Sequence, residues 1–250
     1  EISYLRLHPE KALLDLEEIT SLLRPETRLI SVTSPHNPTG RCIPETDMMA
    51  LIALCEEKNL YLLVDETYRS IPLQDERPKP LYAAKSKKVV SVSSLSKAFG
   101  LPGLRMGWAV TQDKELMYSL LAAKEQVLLG NPVIDEALAL EAMKQKDVIL
   151  GKMRVHLHNN LQILKDWTKT ESRMMVPLPE GGCVCFCQLP GGVQTNTFYK
   201  VLYEKYKTYV GPGHWFEQPD TYFRLGFGWP SADSLRAGLQ ALSASLDEAL

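Results

Sequence analysis

The apolar positions of this chain fall into two rhythms that alternate along it. Leu13, Leu16, Ile19, Leu22 and Leu23 recur at helical period, which predicts a short amphipathic helix over residues 13–23. Residues 28–33 read as a strand, followed by the turn-rich SPHNPTG of residues 34–40. Pro44 stands where a helix can begin, and Met48, Leu51, Ile52 and Cys55 continue its apolar face. LYLLVDE, residues 60–66, is an almost unbroken apolar strand that ends in acid, and residues 89–92 and 107–111 supply two more strands. Apolar strands separated by helices predict an α/β sheet with covered faces. Chemistry in such sheets gathers beyond the strand ends, where Asn37, Asp65 and Lys97 all emerge.

Further along, residues 113–129 and 132–168 are mainly helical, with Gly151 as a candidate break. They bridge to a second unit with strands at 174–177, 183–189 and 222–227 and helices at 196–207 and 231–250. Gly181 and Gly182 form a hinge within it. The division expected is a large α/β domain over residues 1–130, linking helices over 131–169 and a small α+β domain over 170–250. The chain shows no internal repeat and no low-complexity segment.

Composition narrows the classes. A formal charge of -2 over 250 residues leaves no broad basic surface for nucleic acid. No apolar run reaches the roughly 18 residues of a membrane span, and nothing resembles a secretion signal. Of the five cysteines, Cys183, Cys185 and Cys187 alternate, which on a strand sets them on one face. Their spacing lacks the paired pattern of a zinc site, so three small side chains packing a core is the plainer reading, and no metal is assigned. A reducing, cytoplasmic setting is the expectation.

The chemistry centres on SVSSLSKAFGLPGLRMGW, residues 91–108, where Lys97 sits among mostly uncharged neighbours. An amine in such surroundings can be tuned toward nucleophilicity, although a surface lysine with its stem on apolar neighbours has the same local sequence. Asp65 ends a strand too apolar to solvate it, so its carboxylate needs a cation, several donors or a helix end to cap. Tyr68 follows and can turn its hydroxyl into the same space. The prolines of SPHNPTG can hold the Asn37 amide rigid at a strand exit, unless the motif is a turn and nothing more. Ser94 and Ser96 offer hydroxyls and Arg105 a guanidinium fork, a set suited to phosphate, while the GxxxxGK pattern of a nucleotide loop is absent. An amine nucleophile, an acid for a buried cation, phenol and amide donors and a phosphate anchor are together the demands of pyridoxal 5'-phosphate.

These motifs carry a resemblance. SPHNPTG, VDETY at residues 64–68 and SSLSKAFGLPGLRMGW resemble those of the class I/II aminotransferases of the fold-type I pyridoxal-phosphate-dependent enzymes. PLPEGG at 177–182, GPGHWF at 211–216 and YFRLGFG at 222–228 continue it, so that it covers essentially the whole chain. The resemblance implies a three-layer α/β fold, with the large domain binding the cofactor and a small α+β domain at the carboxyl end. It implies that Lys97 forms the Schiff base and shuttles the proton, and that Asp65 pairs with the pyridine nitrogen. Asn37 and Tyr68 would hydrogen-bond the ring's 3-oxygen, and Ser94, Ser96 and Arg105 would lie at the phosphate. Arg224 would receive the substrate's α-carboxylate, with Asn37 beside it. A surface ion pair is the plainer reading of that arginine, but Phe223, Leu225 and Phe227 alternate around it on a probable strand.

The reaction implied moves an amino group between an L-amino acid and a 2-oxo acid in two half-reactions. A carbon-sulfur lyase, synthase or cyclising enzyme would share the same residues, because each begins by removing the α-proton. A non-catalytic relative acting as regulator or scaffold is a third reading. The family likeness also implies a homodimer. Family members carry a further amino-terminal segment with a phosphate-binding helix start and a ring-stacking aromatic, so the expectation is that this chain is part of a longer enzyme. His36 stands where the family more often has asparagine, and His214 borders the aromatic run before Phe216. Neither is read as a catalytic base, nor are His156 and His158 read as ligands.

Overall fold

A computed structural model describes residues 1–5, 14–73 and 81–250. The first element is helix α1 (Leu16–Leu22), capped by Asp15, whose Oδ1 accepts from the backbone N–H groups of Glu17 and Glu18. Glu17 and Glu18 themselves favour the positive end of the helix dipole. The predicted start of this helix at Leu13 lies outside the described residues. Strand β1 (Leu29–Thr33) leads to α2 (Glu45–Glu57) and back to β2 (Tyr61–Asp65), which pairs with β1 in parallel. β3 (Val89–Ser94) adds a further parallel strand and β4 (Gly107–Thr111) closes the order antiparallel, giving β1-β2-β3-β4. Ile19, Met48, Leu51, Ile52 and Cys55 from the two helices pack against Leu62, Val64 and Val89, which is where the alternating burial of β2 comes from.

Helices α3 (Lys114–Val127), α4 (Val133–Lys144) and α5 (Lys146–Thr170) follow. The expected break at Gly151 is not there: α5 runs through it, and the interruption falls at Gln145 instead. One glycine costs a helix only about 1 kcal/mol, which the buried row Leu150, Leu157, Leu161 and Leu164 offsets. Strands β5 (Val184–Gln188), β6 (Gly211–Pro212) and β7 (Tyr222–Gly226) form a second, antiparallel sheet in the order β5-β7-β6. Helices α6 (Thr195–Glu204) and α7 (Ala232–Ala249) bury Phe198, Leu202, Leu239 and Leu242 in one cluster with Phe223 and Leu225. The strand expected at 174–177 is reduced to one bridge, Met175 with Gln188, whose two hydrogen bonds are both 2.9 Å. Pro177 and Pro179 lack N–H donors, so the pairing cannot extend. β6 is too short to leave a period in the sequence.

The two sheets are tied where SPHNPTG meets PLPEGG. Gly40 O accepts from Glu180 N at 2.9 Å and Gly181 N at 3.0 Å, and Cys42 N donates to Glu180 Oε2 at 2.7 Å. Gly40 has φ +70°, and a Cβ there would lie 2.4 Å from both Pro179 Cβ and Val184 O. Gly40→Ala is therefore expected to cost at least about 1–3 kcal/mol. Urea unfolding of the purified variant reads this directly, and an unchanged midpoint would contradict the account of this junction.

Candidate active site

The parallel register aligns the carboxyl ends of three strands. Thr33 faces Asp65, Asp65 faces Val92, and Ser34 N donates to Asp65 O while Glu66 N donates to Val92 O. The loops carrying Asn37, Asp65, Tyr68 and Lys97 thus leave from one edge, as the strand pattern predicts.

Asp65 is half-buried at the end of β2. Its Oδ1 accepts from Thr67 N at 2.9 Å and Thr67 Oγ1 at 2.6 Å, which braces the following turn and leaves Oδ2 to receive a further donor. Alternation along the strand sends the next residue the other way. Glu66 is buried, with Oε2 accepting from Tyr82 N at 3.3 Å, while Oε1 has no hydrogen-bond donor among the described residues and Arg69 Nε stands 3.8 Å away. Burial raises the Glu66 carboxyl above its ordinary value of 4.5, against the opposing pull of Ser91, Arg69 and Tyr82. A raised folded value means that its contribution to stability is complete below the ordinary value and is lost as pH rises through the raised one. Melting curves of Glu66→Gln and the parent protein should therefore diverge in the variant's favour as pH climbs from acid to neutral. A constant offset would show that the fold does not shift the Glu66 carboxyl from its unfolded value.

Tyr68 is buried beside Cys183. Burial pushes the phenol well up, the nearby Arg224 charge opposing it only in part, so Tyr68 stands as a neutral hydrogen-bond donor. Gly182, at φ +79°, lies over the Tyr68 ring, where a Cβ would come within 3.3 Å of Cγ.

Lys97 is exposed on a loop whose flanks are not: Leu95, Ala98 and Phe99 enter the core, and Leu101 N donates to Leu95 O to close the loop. The loop is thus rigid around a free-ended amine, whose positive charge bears on Cys183. Ser94 pairs with Gly107 across β3 and β4, and its Oγ accepts from Ser96 N at 3.3 Å. Arg105, just before β4, is left-handed at φ 51° and exposed, with Nη1 donating to Pro102 O at 3.0 Å. Asn37 is exposed in its turn, and its Oδ1 accepts from Arg224 Nη1 at 3.0 Å. Arg224, half-buried in β7, therefore reaches from the small sheet to the edge of the large one. Arg224 bonds Asn37, the Arg224 and Asp65 charges both bear on Tyr68, the Lys97 and Arg224 charges both bear on Cys183, and Ser94 ends the adjoining strand with Ser96 two residues on and Arg105 just before β4.

The sequence reading placed Cys183 with Cys185 and Cys187 in a core row. Cys185 and Cys187 are fully buried with their sulfurs 3.7 Å apart, and Cys183, one residue before β5, is half-buried, packs against the same core and also lies beside Tyr68. Its place directly after the glycine hinge was the available signal. None of the five cysteines is in a disulfide. Among the described residues no cluster of acidic, cysteine or histidine side chains is arranged for a metal, and no helix is long and apolar enough to cross a membrane. His36 hydrogen-bonds Thr39 Oγ1 at 3.0 Å and is lowered to about 4 by burial and then by Arg41, so it stays neutral. Asp220 Oδ1 lies 2.8 Å from His214 Nδ1 and accepts from His214 N at 2.9 Å, a brace on the segment before β7.

This sheet, with a small antiparallel unit at its edge, defines a fold-type I pyridoxal-phosphate-dependent architecture: a three-layer α/β sheet with a smaller α+β unit at the carboxyl end. Residues 1–242 match the family model described as aminotransferase class I and II, and the chain belongs to that family. It is 29% identical over 242 residues to the capreomycidine synthase of Streptomyces vinaceus, covering 96% of this chain and 61% of that protein. A pyridoxal-phosphate-dependent aminotransferase of Streptococcus suis superposes with a TM-score of 0.89 at 29% identity, over 98% of this chain and 64% of the other. The pyridoxal-phosphate-dependent cyclase OrfR superposes with a TM-score of 0.81 at 30% identity, over 93% and 62%. The chain thus spans about three fifths of the length of these relatives.

The donor set fits the cofactor of this architecture. The amine of Lys97 is exposed, Asp65 has one carboxylate oxygen clear of its turn hydrogen bonds, and burial keeps the Tyr68 phenol neutral.

Proposed function

We propose that this chain is part of a pyridoxal-phosphate-dependent aminotransferase that moves an amino group between an L-amino acid and a 2-oxo acid. The observation that carries the reading is the 3.0 Å hydrogen bond from Arg224 to Asn37, which brings a carboxylate-binding guanidinium from the small sheet to the edge where Asp65 and Tyr68 converge. When bound, pyridoxal phosphate supplies an aldehyde for the amino group and a protonated ring that withdraws electrons as the α-proton leaves. Lys97 Nζ would hold it and, once released, take and return that α-proton. Asp65 Oδ2 would keep the ring nitrogen protonated, while the Tyr68 hydroxyl and the Asn37 amide would donate to the ring's 3-oxygen. Ser94, Ser96 and Arg105 would bind the phosphate, which requires the Arg105 fork to turn from Pro102 O. Arg224 would orient the substrate through its carboxylate.

A second reading, an enzyme that cyclises or eliminates, is supported by the likeness to a capreomycidine synthase and to the cyclase OrfR. A panel of amino acids added to the complete, cofactor-loaded protein separates the readings. Accumulation of pyridoxamine phosphate supports transamination, whereas a cyclic product, or pyruvate with ammonia or sulfide, supports the alternative. If the cofactor spectrum responds to no amino acid, a scaffold or regulator role replaces both. Exposed apolar side chains at Leu121, Val127, Leu129, Val133 and Ile134 support a homodimer that covers them. The absence of disulfides among the cysteines supports a reducing, cytoplasmic setting. The three-part division at residues 130 and 169 is proposed on the same footing.

A further inference from the structure

Arg224 sits in the middle strand of its sheet, facing Phe186 on β5 and Gly211 on β6. Its guanidinium carbon lies 5.0 Å from the centre of the Phe216 ring, within the range of a cation–π contact. Phe216 is itself held from behind. Its ring meets Phe186 edge-on at 5.5 Å and 78°, and Phe186 stacks on Tyr222 at 5.5 Å and 12°. The Phe216 ring lies over Gly211, where a Cβ would touch it at an ordinary 3.4 Å and Arg224 Cβ at 3.6 Å. The result is a continuous run from Tyr222 through Phe186 and Phe216 to Arg224 and on to Asn37.

An arginine side chain has many rotamers, and a bidentate grip on a carboxylate needs its planar fork in one orientation. A ring against the guanidinium restrains the fork through its π face without occupying the N–H groups, which stay available to an anion. A carboxylate of the protein in the same place would restrain the arginine too, but would compete with the substrate for it.

We propose that Phe216 is a positioning residue, which, backed by Phe186 and Tyr222, holds the Arg224 guanidinium ready for the substrate's carboxylate. This rests on the reading of Arg224 as the carboxylate anchor. The alternative is that Phe216 only fills space, and Phe216→Leu separates the two because it keeps apolar bulk and removes the π face.

The test uses the complete, cofactor-loaded protein with the amino acid found by the panel. It measures KM and kcat, and calorimetric binding of a simple alkyl carboxylate and of its uncharged amide. Phe216→Leu is expected to raise KM and the carboxylate Kd about two- to thirty-fold, with kcat held within about twofold and amide binding unmoved. Phe216→Tyr should restore both constants. Phe186→Leu, which removes only the support behind Phe216, should shift them the same way by less, and it carries the test if Phe216→Leu does not fold. Equal weakening of carboxylate and amide, or no weakening while Arg224→Ala loses carboxylate binding, overturns the proposal and leaves the anchor reading standing. If Arg224→Ala also binds carboxylate normally, the anchor reading falls first and takes the proposal with it.

Discussion

Lys97→Ala is expected to lower turnover by about a hundred- to ten-thousand-fold while leaving the melting temperature near that of the parent protein. The first part follows from the role proposed for Nζ, which takes and returns the α-proton. The second follows from the structure: Lys97 is exposed, and the loop around it is held by Leu95, Ala98, Phe99 and the Leu101 to Leu95 hydrogen bond rather than by the lysine. Single-turnover kinetics with the preferred amino acid, beside a thermal melt, check both. Turnover within about threefold of the parent would remove Lys97 from the chemistry, since a positioned proton carrier contributes far more than that.

Asp65 gives the second large effect, and here two variants are needed because the side chain has two uses. Oδ1 braces the turn through Thr67, while Oδ2 is the atom proposed to face the ring nitrogen. Asp65→Asn can keep the carbonyl toward Thr67 and put an NH2 donor where an acceptor is required. It should fold like the parent and lose about a hundred- to thousand-fold in kcat. Asp65→Ala should lose as much turnover and, in addition, about 1 kcal/mol of stability from the lost turn hydrogen bonds. Steady-state rates and urea midpoints of the pair separate the two uses. If Asp65→Asn turns over like the parent, the carboxylate has no electronic role.

Much of the fold was legible because strands and helices leave different periods. The helix at Glu45–Glu57 and the strand at Tyr61–Asp65 lie where the apolar spacing puts them, since burial on one face of each is what generates that spacing. The errors have local causes. At 174–177 the apolar residues suggest a strand, but Pro177 within it and Pro179 beyond it remove the donors a ladder needs. Gly151 suggested a break, but a long helix with a buried leucine row tolerates one glycine.

The candidate site was legible for a different reason. Asp65 ends a strand, and Asn37, Tyr68 and Lys97 follow strands within a few residues, so predicting the strands also placed these residues at one edge. The link from Arg224 to Asn37 crosses between sheets and has no local sequence signature; the family resemblance pointed to the arginine, and only the fold shows its partner. Cys183 and the aromatic run behind Arg224 were hidden further. Their meaning depends on cross-strand register and on β5 starting one residue later than an alternating pattern suggests.

The central claim is that Lys97 is the residue that holds the cofactor. Borohydride treatment of the complete, cofactor-supplied protein, followed by peptide mapping, addresses it most directly. A pyridoxyl group on Lys97, and on no other lysine, is the result this account predicts; an unmodified Lys97, or the group fixed elsewhere, would contradict it.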